Sequence, residues 1–271
     1  MDSSSETDSI MIISDSAKTP SFTNISKPFI LDRIEFLRSY ISRQNWSLPD
    51  SIICYILMNP NSAKFYQKLV QSCKYFFIKN SILVISRANF KYENEWKIEI
   101  EEKWINLNNF LSKIWITEKM FIDNRDSGKS EVISTLIPKI YNNETKRFEI
   151  WHQNLSINNF IFLASKCENI ILHDVTILNE NGSIVTLDEI IETLLNAKKF
   201  EYHFSTISSN AIVTSTIIQK LVETPQFQNL FYFRLANSPE TFNHEILYDY
   251  KKKNKKPDIN LEIDDFISVI F

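Results

Sequence analysis

From Leu111 onward one short apolar unit recurs, and it limits the possible folds more than any other feature of the chain. The unit is apolar-x-x-apolar-x-apolar. It stands at Leu111, Ile114, Ile116; at Cys167, Ile170, Leu172; at Ala197, Phe200, Tyr202; and at Phe227, Leu230, Tyr232. Shorter copies are Phe148, Ile150 and Ile259, Leu261. The middle positions fall at 114, 148, 170, 200, 230 and 259, in steps of 34, 22, 30, 30 and 29 residues. A near-constant step marks stacked units, none of which buries its apolar face alone. The alternation inside each copy predicts a strand with one apolar side.

Helical patterns lie between the strands. Val132, Leu136 and Ile140 form one, shortened by Pro138. Ile157, Phe160, Ile161 and Ala164 form another, capped near Ser156. Leu187, Ile190, Ile191, Leu194 and Leu195 form a third, with Thr186 and Glu189 spaced as a capping box. Ile217, Ile218, Leu221 and Val222 form a fourth, and Phe242 to Tyr250 a fifth. Strand then helix, repeated, implies parallel strands joined by crossovers. The strand pattern resembles leucine-rich repeats in a degenerate form. It departs from them where an asparagine is expected, for Lys119, Gln153, Val175, Ser205, Leu235 and Asp264 stand there. The step is also longer than the usual repeat. The expected fold class is α/β: a small N-terminal all-α module, then a curved leucine-rich-repeat-like array with parallel strands over 111–271. A compact α/β domain with a parallel sheet is the alternative. Upstream, Ile82-Leu83-Val84-Ile85 and Trp96, Ile98, Ile100 read as connecting strands within 81–110.

Leu48 to Phe77 reads as a helical hairpin. Pro49 and Asp50 suit a first helical turn, with Ser47 near the cap. Ile52, Ile53, Ile56 and Leu57 make an apolar stripe, and Pro60 ends that helix. Asn61 or Ser62 can cap the next, which carries Phe65, Leu69, Cys73 and Phe76. The Leu48-Pro49 opening, the Ile/Leu helix and the Cys73-Lys74-x-Phe76-Phe77 ending resemble the F-box of divergent, nematode-type F-box proteins over about 30 residues; Phe stands where that family usually has Trp. The resemblance implies a module over 28–80 that docks a Skp-type adaptor of a cullin-RING (SCF-type) ubiquitin ligase. By position, the implied contacts are Leu48, Pro49, Ile52, Ile53, Ile56, Leu57, Leu69, Cys73 and Phe76. An amphipathic helix is expected over 28–44, and a disordered tail over 1–27.

Composition excludes several classes. Two glycines, Gly128 and Gly182, leave no dinucleotide fingerprint, no nucleophile elbow and no full phosphate loop. Gly128-Lys129-Ser130 copies only the end of one, with Asp123 where its first glycine would fall. A net charge of −3 gives no general attraction to nucleic acid or anionic membrane. Three single cysteines, Cys54, Cys73 and Cys167, point to a reducing compartment, cytoplasmic or nuclear. No apolar run reaches the length of a membrane span. No nucleophile–base pair, cofactor motif or metal-ligand spacing emerges, so the expectation is a binding protein without cofactor or metal, not an enzyme.

Within the repeat, residues between the apolar positions point the other way. They include Trp115, Glu149, Trp151, Ile171, His173, Glu201, His203, Phe231, Phe233, Asn260 and Glu262. Trp115, Trp151, His173, His203, Phe231 and Phe233 are the candidate target-binding row, because exposed aromatic side chains serve as anchors. His173 and His203 hold equivalent positions one repeat apart, so their rings are expected to be neighbours. Ile10-Met11-Ile12-Ile13 resembles a SUMO-interacting motif, which adds a strand to a sheet edge. Lys251-Lys252-Lys253-Asn254-Lys255-Lys256 reads as a solvated helix end. The two functional expectations are a ubiquitin-ligase substrate adaptor and, alternatively, a repeat-type interaction scaffold with no ligase link.

Overall fold

The computed structural model describes residues 47–91, 95–100, 102–125, 132–204, 212–238 and 244–262. The expected tail, the helix over 28–44, the Ile10–Ile13 motif and Gly128–Ser130 lie outside them. Among the described residues three helices come first: α1 (Asp50–Met58), α2 (Ala63–Ser72) and α3 (Lys74–Lys79). Pro49 itself takes the cap position of α1, so Ser47 does not cap it. Ser62 accepts from Phe65 N at the start of α2.

The strands are β1 (Ile82–Lys91), β2 (Glu95–Ile100), β3 (Lys103–Asn106), β4 (Lys113–Asp123), β5 (Ile140–Asn143), β6 (Arg147–Ser156), β7 (Asn169–Leu178), β8 (Lys199–His203), β9 (Tyr232–Ala236) and β10 (Asp258–Glu262). The crossover helices are α4 (Val132–Leu136), α5 (Ile157–Ala164), α6 (Leu187–Glu192), α7 (Ser215–Glu223), α8 (Pro225–Asn229) and α9 (Glu245–Lys253). All ten described strands share one sheet, in the order β10-β9-β8-β7-β6-β4-β1-β2-β3, with β5 beside β4. Pairing is parallel from β1 through β4 to β10; only β1–β2 and β2–β3 are antiparallel. The protein is therefore mixed α/β with a large, mostly parallel sheet. The connecting strands of 81–110 belong to that same sheet, and β3 and β5 carry no signal strong enough to find in the sequence.

Strand order follows chain order from β4 to β10, which places the crossover helices side by side on one face. Successive helices touch: α6 meets α7 and α8, and α7 meets α9. Their apolar residues, among them Phe160, Leu163, Ile190, Ile191, Ile218, Leu221 and Leu247, close over Phe148, Ile150, Ile170, Leu172, Phe200, Tyr202, Phe233 and Leu235 in one core. The capping box at Thr186 and Glu189 forms as spaced. Pro138 ends the first crossover helix in a 3-10 turn, so Ile140 opens β5 instead of continuing a helix.

Two register details differ from the repeat as read. In β9, Phe200 pairs with Phe233 and Tyr202 with Leu235, three residues later than read; Tyr232 faces the other way, and Leu230, buried in the same core, precedes the strand. In β4, the partners of Phe148 and Ile150 are Met120 and Ile122; Ile114 and Ile116 sit one bulge earlier, beside β1 and β5. The β4 shift comes from irregularities against β1 and β5, and the β9 shift is an offset of three residues; an odd offset reverses the side a side chain faces. A similar step occurs inside β6 and β7. His152 and Asp174 both have left-handed φ, 53° and 51°. Burial then switches from Phe148 and Ile150 to Gln153 and Leu155, and from Ile170 and Leu172 to Val175 and Ile177.

Candidate functional site

The three N-terminal helices pack on the sheet face opposite the crossover helices, at the start of β1 and β4. Trp115, fully buried, meets Ala63, Tyr66 and Ile82 there. The Tyr66 hydroxyl donates to Asn80 O and accepts from Ile82 N at 3.3 Å. Burial pushes that hydroxyl above its usual range. Tyr141 adds a bond to Met58 O at 3.0 Å, and Asn80 Nδ2 donates to Leu57 O at 2.7 Å. Trp115 is thus the seat of the helical module, not a target-binding residue.

Within the module, Ile53, Leu57, Cys73 and Phe76 are buried together and hold the three helices to one another. These four implied adaptor contacts are internal: the 53/57 edge of α1 turns toward α3. Ile56 and Leu69 are half-buried, while Leu48, Pro49 and Ile52 are exposed. Leu48 and Ile52 are joined by Tyr55 and Met58, 69% and 59% exposed, so α1 carries an apolar stripe facing solvent. Tyr55 and Met58 were not singled out in the sequence, although Tyr55 continues the helical spacing from Leu48 and Ile52.

Beyond the module, among the described residues, the same sheet face carries polar and aromatic side chains of mostly intermediate exposure. Trp151, His173 and His203 hold one register level on β6, β7 and β8. Strands stand about 4.8 Å apart, so flat rings on adjacent strands come into contact. The Trp151 and His173 rings stack at 3.5 Å with 10° between planes, and His173 lies 3.8 Å from His203. The Arg125 guanidinium sits over Trp151 at 4.8 Å. Burial, then the neighbouring His203, Arg234, His152 and Arg125, drives the His173 pKa down to about 3. His173 is therefore a neutral ring at pH 7.

Charge pairs surround this column. Arg125 holds Asp123 through both oxygens, at 2.9 and 2.6 Å, which lowers the Asp123 pKa. Glu149 Oε2 takes Lys119 at 3.3 Å and Arg147 at 3.2 Å, and its other oxygen accepts from Trp151 Nε1 at 3.4 Å. Glu201 lies 3.4 Å from Arg234 and 3.8 Å from His203. His152 Nδ1 meets Asp174 at 2.8 Å across the left-handed step. Lys119 and Lys91 lie over Phe121 at 5.0 and 5.7 Å.

The row read from the sequence is brought together only in its middle. Trp151, His173 and His203 form the column. Phe233 is fully buried under the helices, because its strand is displaced by three residues, an odd number, from the expected register. Phe231 is half exposed but precedes β9, and Lys256 Nζ covers its ring at 3.9 Å. The cations Arg125, Lys119, Arg147 and Arg234 were missed, since alternation marks a face but not which charges meet across it.

Among the described residues no group of three or more His, Cys, Asp and Glu could hold a metal ion. No described helix is long and apolar enough to cross a membrane. Compared with protein-family models and with curated proteins, the sequence matches none.

Proposed function

We propose that the chain is a substrate-recognition adaptor of an SCF-type cullin-RING ubiquitin ligase. The helical module docks a Skp-type adaptor, and the open face of the parallel array, read as leucine-rich-repeat-like, receives a target protein. The observation that carries the reading is the exposed stripe of Leu48, Ile52, Tyr55 and Met58 on a helix whose opposite edge is already buried. A contiguous apolar stripe rimmed by polar side chains is a partner surface. The chemistry is proximity: the chain raises the concentration of a target beside a ligase it does not itself contain. It would act in the cytoplasm or nucleus.

A second reading is an interaction scaffold with no ligase link. It is favoured by the internal placement of Ile53, Leu57, Cys73 and Phe76, and by the seating of the module on Trp115, which together make a cap for the sheet. Co-expression with a Skp-type adaptor separates the two. The adaptor reading expects a 1:1 complex that is lost in Ile52→Asp while the far-ultraviolet circular dichroism is unchanged. No complex, or one indifferent to Ile52→Asp, leaves the scaffold.

A further inference from the structure

We propose that the open sheet face binds an acidic segment of a protein partner, an assignment that rests on reading this face as the target-binding surface. The carboxylates on this face are sunk and the cations stand above them. Side chains of Arg87, Arg125 and Arg147 are 49%, 49% and 45% exposed, whereas their partners Glu99, Asp123 and Glu149 are 14%, 4% and 13% exposed. The acids hold the cations in place, and the guanidinium groups are what solvent meets.

The cations are also aligned. Arg87, Lys119, Arg147, Asn169 and Lys199 occupy one continuous register level across β1, β4, β6, β7 and β8. Glu149 serves both Lys119 and Arg147 through one oxygen, so this pair of cations exceeds its counter-charge. Held guanidinium groups match carboxylates in geometry and lose little freedom on binding them.

The aromatic column favours a protein over a single-stranded nucleic acid. Base binding needs a free ring face. His173 lies flat on Trp151 at 3.5 Å and leaves no room on its own side, so Arg125 fills the other. Phe121 is overlain by Lys91 and Lys119. The Trp151 and Phe121 faces are therefore occupied, which disfavours stacked bases.

The test is fluorescence polarisation with the full chain and three labelled probes: oligo-glutamate, oligo-lysine and oligouridine. Oligo-glutamate is expected to bind, more weakly as salt rises. Lys119→Ala and Arg147→Ala are each expected to weaken it about fivefold, the scale of one exposed charge contact. Each variant leaves Glu149 one cation, so the face stays folded, which circular dichroism checks. Ile52→Asp is expected to leave peptide binding unchanged, so loss of adaptor docking and loss of this face are read separately. No binding of oligo-glutamate, equal binding of oligo-lysine, or tighter binding of oligouridine would overturn the proposal.

Discussion

The two faces of the sheet are built on different principles. The helix-covered face is a continuous apolar layer in which Phe148, Phe200 and Phe233 have no exposure at all. The open face has few large apolar residues; Ile171 is buried at its middle, and most of its other side chains are paired charges or stacked rings. On the first face, burial decides which residue goes where, and any side chain of similar shape and volume would serve. On the second, identity matters, because each cation is placed by a particular carboxylate or ring.

Three measurements sharpen that contrast. The largest effect is expected from Phe233→Ala, which empties a core site and costs about 3 to 5 kcal/mol in urea unfolding. Phe231→Ala, two residues earlier, is expected to change stability by less than about 0.5 kcal/mol. Equal losses from the two would mean that β9 is registered otherwise than the pairing of Phe200 with Phe233.

An intermediate effect belongs to the open face. Trp151→Ala removes the stack on His173 and the seat of Arg125, and is expected to cost about 1 to 2 kcal/mol. A loss as large as that of Phe233→Ala would make Trp151 a core residue and dissolve the distinction between the faces.

The smallest effect is in pH dependence. The His173 pKa is depressed to about 3, while an unfolded histidine titrates near 6.5. As pH falls from about 6.5 to about 3, the unfolded chain takes up a proton that the folded chain refuses, so stability is lost across that window. Because the ring is partly solvated, the expected loss is on the order of 1 kcal/mol. His173→Gln should flatten this part of the profile in denaturation curves taken along a pH series. Asp123, held below the usual carboxylate range by Arg125, adds its own loss further into acid, and the substitution should leave that part intact.

Periodicity carried the sequence reading, and its failures are failures of periodicity. The strand-helix alternation, the parallel sheet, the caps at Ser62, Ser156 and Thr186, and the neighbouring rings of His173 and His203 could all be read from spacing. Phe233 and Trp115 could not. Phe233 lies behind an offset of three residues, and an odd offset exchanges inside and outside for every residue that follows. Trp115 has the outward parity expected of it but meets the helical module, a contact between segments about 50 residues apart that no local pattern encodes. The Lys119–Glu149 pair crosses strands and is hidden from a local pattern for the same reason. The exposed stripe on α1 was half legible: Leu48 and Ile52 were found, while the buried edge formed by Ile53 and Leu57 was not told apart from it.

The left-handed pair at His152 and Asp174 makes the lengths of neighbouring strands depend on one another. His and Asp tolerate this conformation better than most residues do. The step works as a shift of reading frame made at the same level in both strands, so β6 and β7 resume pairing at Gln153 and Val175 as though nothing had intervened. A deletion in one strand alone would send Gln153 and Leu155 outward while Val175 and Ile177 stayed inside. Only a matched deletion in the next strand would restore agreement, so these neighbouring strands can change length in concert but not singly.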